Sequence, residues 1–123
     1  MANERILVVD DNPTNLKLAC VILEGAGYKI STAVNAAEVL ALDGEVPRMV
    51  MMDIQLPDLD GLELTRRLRR DPRWSGVLIV ALTAYAMKGD REKALAAGCD
   101  GYVSKPIDIE QLLTTVSKLL NPA

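Results

Sequence analysis

Residues 47–61 read PRMVMMDIQLPDLDG. Met49, Val50, Met51 and Met52 form a short apolar run without polar alternation. That is the pattern of a strand buried on both faces of a parallel sheet. The run stops at Asp53, and Pro57, Asp58, Asp60 and Gly61 follow as a turn-forming loop. Open α/β sheets take ligands at the carboxyl ends of their strands, so a carboxylate there is a candidate site residue. Asp is also common where strands enter turns, so the rest of the chain has to decide between the two readings.

Toward the amino terminus the same pattern recurs. Arg5–Val9 (RILVV) reads as a buried strand and ends in Asp10, Asp11 and Asn12. Pro13 suits the first position of a helix. Leu16, Ala19, Cys20 and Leu23 then mark one face at helical spacing, and Gly25 and Gly27 close it. Tyr28–Val34 is a second short strand. Asn35 with Glu38 three residues on opens a helix through about Leu42. Asp43–Pro47 is a loop.

Toward the carboxyl terminus, Asp60 caps a third helix with Leu64 and Leu68 facing inward. Arg66, Arg67, Arg69 and Arg70 form its solvated outer face. Asp71–Gly76 is a loop carrying Trp74, the single tryptophan. Val77–Leu82 is a fourth strand ending at Thr83, and a fourth helix runs from about Met87 to Ala97 and stops at Gly98. Gly101–Val103 is a fifth strand, followed by Ser104, Lys105 and Pro106. Asp108 and Gln111 start a last helix, with Ile109, Leu112, Leu113, Val116 and Leu120 on its apolar face. Five strands alternating with five helices make an α/β fold, a doubly wound parallel sheet.

The chain has 123 residues, which suits one domain over 1–123. Half the residues are hydrophobic and a quarter charged, the composition of a packed chain. A net charge of −3 gives no nucleic-acid footprint. No apolar run reaches membrane-spanning length and no signal peptide is evident, so a soluble, cytoplasmic protein without a membrane partner is expected. Cys20 and Cys99 share no motif and read as reduced core residues. The chain contains no histidine, which excludes His-based triads, His-ligated metals and a phosphohistidine of its own.

Strand ends bring chemistry together. The first ends at Asp10 and Asp11, the third at Asp53, the fourth at Thr83, and the fifth two residues before Lys105. All carboxyl ends share one edge of a parallel sheet, so these side chains meet if the strands are adjacent. Two like charges about 4 Å apart repel by roughly 4 kcal/mol at an effective dielectric near 20. Three clustered carboxylates therefore need a counter-charge or must protonate. One lysine cannot neutralise all three. A divalent cation can, and an all-oxygen site suits Mg²⁺ better than Zn²⁺. Lys105 and Thr83 supply a positive charge and a hydroxyl for phosphoryl oxygens. Phosphoryl transfer needs mainly positioning and charge neutralisation, and an Asp carboxylate can serve as its nucleophile.

These residues resemble the receiver domain of two-component response regulators from about Arg5 to Leu120. The likeness is carried by LVVDDN, MMDIQLPDLDG, ALTA and YVSKPID. It implies a flavodoxin-like five-stranded sheet in the order 2-1-3-4-5 with five helices. It also implies that Asp53 is the phosphoacceptor and Asp11 a direct Mg²⁺ ligand, with Asp10 reaching the ion mainly through water. The Gln55 carbonyl would be a further ligand. Thr83 and Tyr102 would be the switch pair, Lys105 would bind the phosphoryl group, and the Lys105–Pro106 bond would be cis. Gln55 and Tyr85 occupy variable positions that tune the lifetime of the phosphoryl group. Arg48 departs from the acidic residue common before the third strand. The run AYAMKGDREKALAAGCDGYVSKP is similar to stand-alone receivers, those of bacterial cell-cycle phosphorelays included, and to those of hybrid kinases.

The likeness implies a sensor histidine kinase or histidine phosphotransfer protein as donor and a downstream protein as target. It implies a signalling protein that assists only its own phosphorylation and dephosphorylation. One alternative is an aspartyl-phosphate phosphatase, which carries a second Asp two residues after the first; here that residue is Gln55. Another is a receiver that binds partners without phosphorylation, against which the complete acid cluster argues. An FMN carrier would need a phosphate-cradling loop after the first strand, and none is present.

Overall fold

The computed structural model describes residues 4–42, 46–83 and 88–121, without the side chains of 88–90. Five strands alternate with five helices: β1 Arg5–Val9, α1 Pro13–Gly25, β2 Lys29–Ala33, α2 Ala36–Leu40, β3 Met49–Asp53, α3 Gly61–Arg70, β4 Leu78–Thr83, α4 Lys88–Ala97, β5 Gly101–Ser104 and α5 Ile109–Leu120. All pairings are parallel and the order is β2-β1-β3-β4-β5, as the likeness implies.

Strand alternation sorts the core into two layers. Leu7, Val9, Val50, Met52, Ile79 and Ala81 face α2, α3 and α4, where they meet Val39, Leu64, Leu68, Trp74 and Ala94. Ile6, Val8, Met49, Met51, Val80, Leu82 and Val103 face α1 and α5, against Ala19, Leu23, Leu112, Val116 and Leu120. All five residues of β3 are buried, which is why the strand reads as an unbroken apolar run.

Side chains start four of the helices. Asn12 Oδ1 accepts from the Thr14 and Asn15 amides at 2.9 and 3.2 Å, with Pro13 in the first turn. Asn35, Asp60 and Asp108 cap α2, α3 and α5 in the same way. Beyond α1, Gly27 takes a φ of 98°, which favours glycine. Because α5 returns antiparallel to the strands, residue 121 and the start of β1 both lie toward the amino edge of the sheet.

Several elements differ from the sequence reading. β2 is shorter, Lys29–Ala33, and largely exposed because it is an edge strand. α2 ends at Leu40 rather than about Leu42. Ala19 and Leu23 of α1 are buried, while Leu16 and Cys20 are only half-buried. Ile109, the first residue of α5, is exposed. The loop Asp71–Gly76 contains a 3₁₀ turn, Pro72–Trp74, in which Trp74 is buried. Cys99 is buried, and both cysteines are free. The loop at 43–45, Tyr85 and the start of the fourth helix at Met87 lie outside the described residues.

Arg69 is the clearest correction. Arg66, Arg67 and Arg70 are exposed, but Arg69 is folded under α3. Its guanidinium donates to the Gly98 carbonyl at 2.9 Å, the Val77 carbonyl at 2.7 Å and Asp100 Oδ2 at 2.6 Å. Asp100 in turn accepts the Ile79 amide at 2.9 Å. One fork thus ties the end of α4 to the entry of β4, which an arginine's fixed donor geometry allows.

Candidate acidic site at the carboxyl edge

β1 and β3 are neighbours in the sheet, so their ends deliver Asp10, Asp11 and Asp53 to one place. One carboxylate oxygen from each lies within 4.8 Å of the others. Asp10 and Asp53 are buried, and Asp11 is exposed.

Lys105 follows β5 and reaches across β4. Its Nζ stands 3.1 Å from Asp10 Oδ2 and 3.2 Å from Asp53 Oδ2. The other oxygens of these two acids accept backbone amides: Asn12 N on Asp10 Oδ1 at 2.9 Å, and Gln55 N on Asp53 Oδ1 at 3.0 Å. The Lys105–Pro106 bond is cis, and the Lys105 amide donates to the Thr83 carbonyl at 2.7 Å. Thr83 is buried at the end of β4. Tyr102 is half-buried, opposite Ala81 in β4, and packs on the core layer that includes Met52. Every candidate site residue except Tyr85 is therefore described, with Thr83 on β4, the neighbour of β3, and Tyr102 on β5, one strand further out.

Three carboxylates facing one ammonium leave two negative charges uncompensated. Burial pushes the Asp53 carboxyl above the usual carboxylate range. The Gln55 amide pulls it down, Asp10 pushes it up, and Lys105 pulls it down. The balance stays upward, so the site gains by acquiring positive charge. Its donors are all oxygens with an exposed face at Asp11, which fits a hard divalent ion.

Sequence reading treated Asp58 and Gly61 only as turn residues. Asp58 accepts the amides of Ala36 and Ala37, and Gly61 presses on the end of β3. Neither contact leaves a local pattern, because each joins segments separated in the chain.

The sequence profile of the response regulator receiver domain matches residues 6–117. The chain belongs to this family. As a receiver domain it is a signalling module of two-component systems. It is 39% identical over 119 residues to the polar-differentiation response regulator DivK of Brucella anthropi, covering 96% of this chain and 97% of that protein. Among solved receivers, a response regulator from Chloroflexus aurantiacus superposes with a TM-score of 0.91 at 29% identity, over 96% of this chain and 98% of that one. The receiver domain of the sensor histidine kinase PA1611 from Pseudomonas aeruginosa PAO1 gives 0.85 at 34% identity, over 95% and 97%, and holds a magnesium ion in its active-site cleft. Among the described residues of this receiver, no helix is long and apolar enough to cross a membrane.

Proposed function

We propose that residues 1–123 act as one phosphoacceptor receiver in a two-component phosphorelay, with Asp53 taking a phosphoryl group from a phosphohistidine on a partner. The observation that carries this reading is the meeting of Asp10, Asp11 and Asp53 within 4.8 Å of one another at one sheet edge, with Lys105 paired to Asp10 and Asp53. The donor is a sensor histidine kinase or a histidine phosphotransfer protein, and the reading puts the exchange in the cytoplasm.

Asp10, Asp11, Asp53 and the Gln55 carbonyl would hold Mg²⁺, which is the ion in the cleft of the PA1611 receiver. When bound, it neutralises charge on the acids and on the phosphoryl oxygens. A carboxylate oxygen of Asp53 attacks phosphorus. The nitrogen–phosphorus bond breaks, and its electron pair returns to the donor imidazole. Lys105, already beside Asp53, follows the phosphoryl oxygens. The added charge of about −2 draws the Thr83 hydroxyl inward, and Tyr102 turns into the space behind it. The surface of α4, β5 and α5 then binds its protein target differently. This is a population shift, driven only by differential stabilisation of one state.

The test is labelling of the full chain by a phosphorylated donor kinase with Mg²⁺ present. Wild type should take up label and Asp53→Asn should not. Undiminished labelling of Asp53→Asn refutes the acceptor assignment.

A further inference from the structure

Asp58 stands in the loop between Asp53 and α3, three residues after Gln55. Its carboxylate reaches another element. Oδ1 accepts the Ala36 amide at 2.9 Å and Oδ2 the Ala37 amide at 2.9 Å. These are amides of the first turn of α2, which have no partner within their own helix. α2 already carries a cap of its own: Asn35 accepts the Glu38 amide at 2.8 Å, and Glu38 accepts the Val34 amide at 2.8 Å. The Asp58 bridge therefore adds an attachment between the loop after β3 and the first turn of α2. Amide bonding holds the Asp58 carboxyl below its usual range, as expected of an anion kept in place by N–H donors.

The same loop is fixed at its neck. Gly61 N donates to the Ile54 carbonyl at 2.8 Å, and Leu56 and Leu59 pack on the α3-side core. Between neck and bridge lies Gln55, whose amide faces Asp53. Movement of residue 58 would turn the peptides of residues 55–57, including the carbonyl of Gln55.

We propose that Asp58 is a positioning residue for the metal site. By anchoring its loop to α2, it holds the Gln55 carbonyl in place for Mg²⁺. Ion binding and closure of the α2 first turn are then one linked equilibrium. The proposal rests on the metal site described under Proposed function. Groups that orient metal ligands commonly contribute 10- to 100-fold in affinity, and a backbone carbonyl on a loop belongs at the low end. Linkage requires the reverse effect as well: an ion that needs the bridge closed must stabilise the closed bridge by the same factor.

The experiment is Mg²⁺ titration by calorimetry of the full chain, paired with hydrogen exchange at the Ala36 and Ala37 amides. Asp58→Ala should bind Mg²⁺ about 10-fold more weakly. Asp58→Asn should fall between, because an amide offers one acceptor oxygen and no charge. It also carries the test if Asp58→Ala does not fold. In wild type, saturating Mg²⁺ should slow exchange at Ala36 and Ala37, and the substitutions should erase that slowing. A helix cap with no bearing on the ion would speed exchange in the variants at every Mg²⁺ concentration and leave affinity unchanged. Affinity within about twofold of wild type, well under such orienting contributions, overturns the proposal. So does exchange in wild type that ignores Mg²⁺. If wild type itself binds no Mg²⁺, the site reading fails first and takes the proposal with it.

Discussion

Gly61 shows how little room the end of β3 has. A Cβ built there would lie 2.5 Å from the Asp53 carbonyl oxygen and 2.7 Å from the Ile54 Cα. Both obstacles are backbone and cannot swing aside. Gly61→Ala should therefore push β3 and α3 apart, at a cost of about 1–3 kcal/mol, as for other overpacked sites. Urea unfolding measures that cost. Labelling of Asp53 should slow as well, because its carboxylate sits on the displaced backbone. Asp58 supplies a pH signature. Its native carboxyl lies below the usual range, chiefly through the Ala36 amide. Its contribution is thus complete above the ordinary carboxylate pKa and is lost as pH falls through the lower native value. Asp58→Asn should be less stable than wild type at neutral pH and should lose less stability on acidification. Thermal melts between neutral pH and about pH 3, just below the ordinary Asp value, would show the two curves converging; parallel curves would refute the assignment.

At the scale of elements, Arg69 and its neighbours on α3 should behave differently despite one residue type. Removing Arg69 leaves the Gly98 and Val77 carbonyls and Asp100 without their cationic donor, a loss on the order of 2–3 kcal/mol. Arg69→Lys should recover little of it, because an ammonium cannot span the same acceptors. Among the described residues exposed Arg66 pairs with half-exposed Glu63, so Arg66→Ala should change stability by less than about 0.5 kcal/mol. Chemical denaturation of the three variants checks this. β1, β3 and β4 could be read from the sequence because burial on both faces writes an apolar run. β2 was legible only in outline, since an edge strand keeps exposed polar residues. Arg69 was misjudged, and the burial of Trp74 went unread, because neighbours distant in sequence decide both. Helical periodicity ranks Arg69 with the surface and cannot see that Gly98 and Asp100 fold back to meet it. The candidate site was legible for a different reason. A parallel sheet places all strand ends on one edge, so Asp10, Asp11, Asp53, Thr83 and Lys105 needed only adjacency to converge. Asp58 and the Gly61 contact were not, because contacts between separate elements follow no period.

For the molecule as a whole, a ligand that binds only the folded chain must raise its stability. At about 100 times its dissociation constant, Mg²⁺ should add about 2.7 kcal/mol to the free energy of unfolding. Asp11→Asn should blunt that gain without harming the metal-free fold, since Asp11 is exposed. Chelation should abolish labelling and leave circular dichroism unchanged. A stability gain undiminished in Asp11→Asn would move the ion elsewhere. The return of α5 carries a practical consequence of its own. Because residues 4 and 121 both lie toward the amino edge, anchoring the chain to a bead or a fused neighbour by either end leaves the acidic mouth pointing away from its support. A tethered receiver should exchange phosphate with partners in solution as freely as a diffusing one.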